Sequence, residues 1–215
     1  IKRPKVKRVK ALKHTVPDFM KIKRSTGIDW FDCALGGKGF TPSQLAYFTG
    51  TPGCGKSTAM AALSSSWVGN GDQIAIDRIL EEADAMRAAE PKKPFLLVVD
   101  SLQMMWDGRH KDGGGGTAKD KRVLEALRKW CKDNHTNAVV IGQVTKDGKM
   151  AGSNFIKHMV DTMLTMFVEK KDEELRGCRV FTATKNRFGS CGHVLFLELE
   201  RKGFREIARL SETDR

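Results

Sequence analysis

The sequence predicts an α/β domain: a mostly parallel central sheet with an antiparallel C-terminal extension. Three observations carry this expectation. Short apolar runs (QLAYFTG, FLLVVD and NAVVIGQ) alternate with stretches whose apolar residues recur at helical spacing. FLLVVD and NAVVIGQ are continuous rather than alternating, as in parallel strands covered on both faces. From Thr162 onward, TMLTMFVE, RGCRVFTATKNR, HVLFLELE and GFREIA follow one another without an intervening helical pattern, which reads as a strand meander. At 215 residues the chain suits one domain with a sizeable core.

Residues 1–24 form a basic arm. They hold ten Lys and Arg against one acid, Asp18, and so carry +9 of the chain's formal +12. Such an arm is drawn to phosphate backbones through counterion release; the alternative is a solubilising tail. It is Lys-rich and its first serine is Ser25, which argues against a mitochondrial transit peptide. The domain proper is expected over 25–215. TGIDWFDCALGG predicts a short helix, Ile28 to Leu35, closed by glycines. QLAYFTG predicts a strand entering a glycine-rich loop, followed by a helix from Ser57 to Val68. Ile76, Ile79, Leu80, Ala83 and Met86 place a second helix over Ile74 to Ala89. Asp112 to Gly116 is a flexible glycine loop, and Ala118 to Asn134 is a further helix. The five cysteines are scattered with no CxxC pair, which argues against zinc and disulfides and fits a reducing cytosol. No apolar run approaches the roughly 20 residues that span a bilayer. A cytoplasmic, nucleoid-associated protein is expected. The chain opens on Ile1 rather than Met, so residues upstream are expected too.

GTPGCGKS, Gly50 to Ser57, matches the phosphate-loop pattern GxxxxGK[ST], and it lies where the pattern requires, after a strand and opening a helix. Glycines at 50, 53 and 55 let backbone N–H groups turn toward phosphate oxygens, and the helix start favours negative charge. Gly50, Thr51, Pro52, Gly53, Cys54, Gly55, Lys56, Ser57 and Thr58 are therefore the candidate nucleotide contacts. Lys56 would reach the β- and γ-phosphates and Ser57 would ligate Mg²⁺. Asp100, at the carboxyl end of FLLVVD, is the second candidate metal ligand. The expected cofactors are ATP and Mg²⁺. Further along, CRVFTATKNR ends on Lys185 and Arg187 just before a Phe-Gly turn, which aims two cations outward. Taken alone, KxR at a hairpin tip is a solvated tip.

GQVTKDGKMAGSNFIKHMVDTML, Gly142 to Leu164, followed by KNRFG, Lys185 to Gly189, closely resembles the RadA/Sms family of bacterial RecA-like ATPases. RSTGIDWFDCALGG and VVDSLQ share in the resemblance, which covers residues 24 to 208. It implies a RecA-like P-loop NTPase core, assembled as a hexameric ring that hydrolyses ATP between subunits and moves along single-stranded DNA in branch migration. It implies that Lys185 and Arg187 enter the neighbouring subunit's site as an arginine finger and its companion. Gln143 resembles the position that senses the γ-phosphate. The loop Thr145 to Asn154, with Lys146 and Lys149, and the stretch Gln103 to Lys121, with Arg109, His110, Lys111 and Lys119, would face DNA and track its backbone. Trp106 serves either as a stacking platform or as a packed side chain. His158 reads as structural, and Asp161 matches a family position without an assigned role. A recombinase or replication protein is a further expected partner; a membrane is not.

Three departures qualify the resemblance. The family's N-terminal four-cysteine zinc module and its Lon-protease-like C-terminal domain have no counterpart in this sequence. A segment of about thirty residues, with the family's water-activating Glu, is also absent around Gly71 to Ile74. Losing a mid-sheet strand would expose unpaired backbone, so the expectation is that the natural protein contains the segment. Glu81 and Glu82 fall on a helix too far from the phosphates to replace that Glu, and no catalytic base is assigned. Two alternatives to the RadA-like motor stay open: a phage or plasmid replicative helicase, and a nucleotide-switched DNA clamp or loader with little turnover.

Overall fold

A computed structural model of the chain describes residues 17–63, 75–106, 117–144 and 153–211. Its element order is α1 (Asp18–Lys21), α2 (Asp29–Ala34), β1 (Leu45–Gly50), α3 (Lys56–Ala61), α4 (Ile76–Ala89), β2 (Leu96–Asp100), a 3-10 turn (Leu102–Met104), α5 (Thr117–Asp133), β3 (Asn137–Gln143), α6 (Ser153–Met159), β4 (Thr162–Val168), β5 (Arg179–Asn186), β6 (Val194–Glu200) and β7 (Gly203–Leu210). The seven strands make one sheet in the order β2-β3-β1-β4-β5-β6-β7. The first four run parallel, and β5, β6 and β7 continue the sheet antiparallel. The expected architecture is the observed one.

Alternation along the central strands builds two cores. Ala46 and Phe48 of β1, Val139 and Ile141 of β3 and Leu164 and Met166 of β4 face one side, against α2 and α3. Leu45, Tyr47, Ala138, Val140 and Met163 face the other, against α4, α5 and α6. On the first side Trp30 and Phe31 of α2 meet the Phe181 ring with centroids 5.2 and 5.5 Å away, and Phe48 meets it at 5.6 Å. This aromatic knot ties the antiparallel extension to β1 and contributes beyond its area of burial. Asp32, on the same helix, holds the incoming chain: its carboxylate accepts Ser25 Oγ, Thr26 N and Thr26 Oγ1 at 2.5–2.9 Å.

Several expectations change. The apolar run FLLVVD predicts a strand covered on both faces. It is covered on both, Leu96 and Val98 packing on the first core and Leu97 and Val99 on the second, but β2 is also the edge strand among the described residues, so Leu96, Leu97 and Val98 are only half-buried. A continuous apolar run reports low polarity, not the number of neighbours. The junction at 71–74, where the sequence points to an absent segment, lies outside the described residues. The phosphate-loop helix is described as six residues, Lys56–Ala61, where the sequence predicts twelve; 64–68 lie outside the described residues. Helix α4 starts at Ile76 rather than Ile74. Helix α6 begins at Ser153, within what reads as the end of a basic loop, because Phe155, Ile156 and Met159 supply an apolar stripe that packs on the second core. The end of the arm is docked: Arg24 pairs with Phe40 through both backbone N–H groups at 2.8 Å, and Phe19 lies 4.3 Å from the His135 ring.

Candidate nucleotide-binding site and the opposite sheet edge

Strand β1 is buried along its whole length and delivers the phosphate loop at its carboxyl end. Gly50 is required there by sterics: a Cβ would lie 1.9 Å from the Met166 carbonyl oxygen. Gly53 and Gly55 have φ of +73° and +101°, the left-handed conformation that glycine adopts without strain. Gly55 also leaves room for the Phe204 ring of β7, whose Cζ would be 2.5 Å from an added Cβ. The last hairpin of the extension therefore braces the loop. The sequence offers no signal for this contact, since Phe204 is 149 positions away in an ordinary strand.

Within the loop, Lys56 is buried and its Nζ donates to the carbonyls of Gly50 at 2.9 Å and Thr51 at 3.1 Å. Ser57 Oγ donates to Asp100 Oδ2 at 2.5 Å. Two residues 43 positions apart thus meet at one point, because β3 alone separates β2, which ends on Asp100, from β1, whose loop leads to Ser57. Register places Gln143 opposite Gly50 and Asp100 opposite Ile141, so Ser57, Asp100 and Gln143 share the carboxyl edge of the parallel strands. All three are exposed. Cys54 is fully buried in the first core, so of this loop residue only the backbone is available to a ligand. Thr51, Pro52, Gly53 and Thr58 are exposed on the same loop. A glycine-rich loop opening a helix suits phosphate, and a hydroxyl beside a carboxylate is the hard-oxygen pair that Mg²⁺ takes. Below this edge, Gly142 makes room for Tyr47, whose hydroxyl would be 1.6 Å from an added Cβ. Burial, with the nearby Asp120 carboxylate, pushes the Tyr47 hydroxyl up to about 12.

Lys185 and Arg187 stand at the other end. Lys185 is opposite Met163 and Asn186 opposite Thr162, while Thr162 is itself opposite Ala46 and Met166 opposite Gly50. The pair therefore lies level with the amino end of β1, and the phosphate loop leaves its carboxyl end. Four residues of strand separate the two levels, roughly 13 Å at about 3.3 Å per residue. Against the expectation of two outward cations, Lys185 is turned back on its own chain: its Nζ donates to the carbonyls of Lys157 and, at 2.7 Å, Val160. Burial holds this ammonium below the usual lysine range; the Arg187 and Arg128 charges push the same way and Asp161 opposes them. Arg187 Nη1 donates to Asp161 Oδ1 and Nη2 to the His158 carbonyl, both at 3.2 Å. The turn is fixed through Asn186, whose Oδ1 accepts Thr162 Oγ1 at 3.2 Å and Phe188 N at 3.1 Å. Lys23, at the end of the arm, donates to the Phe188 carbonyl at 3.0 Å.

The expected DNA-facing residues fare unevenly. Arg109, His110, Lys111, Lys146 and Lys149 lie outside the described residues. Lys119 is turned inward: its side chain is 13% exposed and Nζ donates to the Gln103 carbonyl at 2.8 Å, which removes it from the DNA-facing set. Trp106 joins the fold through its carbonyl, which accepts Ile76 N at 2.9 Å. Glu82 pairs with Arg78 on the exposed face of α4. No helix among the described residues is long and apolar enough to cross a membrane.

Comparison with known proteins agrees with the fold. No family model matches the chain. It is 30% identical over 210 residues to the DNA repair protein RadA of Aquifex aeolicus (strain VF5), covering 86% of this chain and 46% of that protein. It is 27% identical to the DNA repair protein RadA of Bacillus subtilis (strain 168) over 250 residues, covering 99% of this chain and 54% of that protein. The chain thus spans about half the length of the curated relatives it matches. The second alignment is longer than the 215-residue chain, so the relative carries stretches with no counterpart here. Among solved structures, a DnaB-like replicative helicase superposes with a TM-score of 0.69 at 11% identity, covering 82% of this chain and 59% of that one. A KaiC-like protein, PH0186 from Pyrococcus horikoshii OT3, superposes with a TM-score of 0.64 at 16% identity, covering 87% and 99%. At those identities the superpositions establish the fold, and the sequence matches establish the kinship. This chain is a relative of the RadA DNA repair proteins across their RecA-like core.

Proposed function

We propose that this domain hydrolyses ATP at the interface between copies of itself and uses the cycle to move on single-stranded DNA in repair or recombination. The observation that carries the reading is the position of Lys185 and Arg187. They are cations at the amino edge of the sheet, on the far side from their own phosphate loop; Arg187, half exposed, is the one free to reach a neighbouring copy's site, and Lys185 would first have to leave the two carbonyls that hold it. A head-to-tail repeat of that contact closes into a ring when the rotation allows, and the RadA-like expectation is a hexamer. Lys56 and the loop backbone bind the phosphates, Ser57 and Asp100 hold Mg²⁺, and Gln143 stands beside the γ-phosphate position. Bound Mg²⁺ would neutralise charge on the β- and γ-oxygens. Arg187 from the neighbour would stabilise the charge that spreads over the transferring group, a task suited to a planar cation that stays charged.

DNA contacts are assigned to the arm, with its +9, and to Lys111, Lys146 and Lys149. Residues 145–152 follow β3 directly after the Gln143 edge, so a nucleotide-sensing strand leads into a basic segment. Phosphate contacts of this kind read backbone rather than sequence, and removing residues 1–16 should lower the salt dependence of binding.

A nucleotide-switched clamp with little turnover is the second reading. One observation favours it: among the described residues, Asp100 is the carboxylate joined to Ser57, and no further acid is assigned to activate water. Steady-state ATP hydrolysis with and without single-stranded DNA separates the two. DNA-stimulated turnover that Arg187→Ala abolishes while ATP binding persists supports the motor. Tight binding of ATP and DNA without turnover in the unaltered chain supports the clamp.

A further inference from the structure

Asp161 sits between β1 and the Lys185–Arg187 turn, and it is 2% exposed. Its Oδ1 accepts Arg187 Nη1 at 3.2 Å, its Oδ2 accepts Leu45 N at 3.1 Å, and Lys132 Nζ lies 3.6 Å from Oδ2. Its backbone repeats both connections: Asp161 N donates to Leu45 O at 2.9 Å, and Arg187 N donates to Asp161 O at 3.0 Å. One residue therefore joins, by main chain and side chain alike, the first residue of β1 to the arginine at the opposite edge from the phosphate loop. A buried carboxylate is costly unless paired and hydrogen-bonded, so its partners are held firmly. Arg187 is not used up by the bond. The guanidinium has five donors in a rigid fork; one N–H goes to Asp161 and one to the His158 carbonyl, while the side chain stays 41% exposed. Lys132 also lies 5.7 Å from the centre of the Phe188 ring, so the cation that shares Asp161 packs on the same turn.

We propose that Asp161 is the positioning residue of the arginine finger: its buried carboxylate pins the Arg187 guanidinium to the base of β1 and leaves the rest of the fork aimed outward at a neighbouring copy's nucleotide. The proposal rests on the reading that Arg187 serves a neighbour's site. It assigns to Asp161 no contact with nucleotide. Asp161 stiffens the finger before assembly, so that less ordering is left for the moment of reaction. It also ties the finger to the strand whose other end is the phosphate loop of its own chain.

The test uses the full chain with ATP and single-stranded DNA, and compares Asp161→Asn, Arg187→Ala and the double variant. Asn keeps the shape and loses the charge. The expected result is a kcat about tenfold or more below the unaltered chain for Asp161→Asn, with KM for ATP unchanged, because an aiming defect acts in the transition state. The double variant should be no slower than Arg187→Ala alone. If Arg187→Ala is slow and Asp161→Asn is not, the finger stands and the proposal falls. If the two losses multiply, Asp161 acts elsewhere and the proposal falls. If Arg187→Ala itself is silent, the finger reading fails, and the proposal with it. A second measurement needs no stable Asp161 variant: ¹⁵N NMR of the arginine side chains in the unaltered chain, with Arg187 assigned by its loss in Arg187→Lys. Resolved, slowly rotating Nη–H signals for Arg187 support the pinning; an averaged signal overturns it.

Discussion

At the carboxyl edge of the sheet Lys56 is buried and turned back on two carbonyls of its own loop, and Ser57 closes on Asp100. At the amino edge Arg187 is half out of the protein, with only part of its fork engaged. Both edges carry cations placed by strand ends, yet one is a closed cradle and the other an open projection. A cradle is built to receive a ligand inside one chain. A projection of the same charge, held by a buried carboxylate and facing away from that cradle, is what the proposed contact with a neighbouring copy requires. On the proposed reading the two edges are complementary halves of one site, separated within each chain by the length of β1.

The largest effect that would break this comparison is the loss of the projection. If it is the proposed arginine finger, Arg187→Ala should lower DNA-stimulated kcat by about 10³-fold and leave ATP binding by fluorescence titration unchanged. Next comes the cradle's backbone. Gly50→Ala places a Cβ against the Met166 carbonyl, an immovable main-chain atom, and should cost about 3 kcal/mol in urea unfolding. The turn under the projection gives a smaller effect. A Cβ at Gly189 would lie 2.8 Å from Asn186 Nδ2 and 2.9 Å from the Leu35 carbonyl, so Gly189→Ala should cost about 1–2 kcal/mol and slow turnover more than it weakens ATP binding. The smallest perturbation is thiol labelling of the folded chain at about pH 8, near the ordinary thiol range. Cys178 and Cys191 are half-buried and should react first; Cys33, Cys54 and Cys131 are buried and should wait for unfolding. Burial, with Asp161 near, raises the Cys131 thiol to about 12, so little thiolate is present there under those conditions. Early labelling of Cys131 would mean that the packing beneath the projection is looser than described.

The cradle is legible in the sequence because its chemistry is local. Eight consecutive residues hold the glycines, the lysine and the serine, and the strand before them is apolar. Asp100 follows, since a carboxylate ending an apolar run is a recognisable pattern. The cations at Lys185 and Arg187 are legible as a pair, but which edge they occupy depends on β5 being antiparallel to β4, a property of pairing rather than of spacing. Asp161 is visible only as an unassigned acid: its partners, Leu45 and Arg187, are 116 and 26 positions away. The edge position of β2 is hidden because apolar content does not count neighbours. Phe204 against Gly55 leaves no trace, for an aromatic in a strand marks packing without saying against what. The charge of Lys119 suggests a DNA-facing residue, and its inward turn toward Gln103 is a matter of helix phase.

The central claim is that one copy's cradle is completed by another copy's projection, and mixing two inactive chains tests it most directly. Chains with Lys56→Ala have no working cradle and chains with Arg187→Ala have no projection. An equimolar mixture of the two, assayed with ATP and single-stranded DNA, should regain up to about one quarter of the unaltered turnover, the random share of head-to-tail interfaces that join an intact cradle to an intact projection. Turnover of the mixture no higher than the average of its two components would contradict the claim.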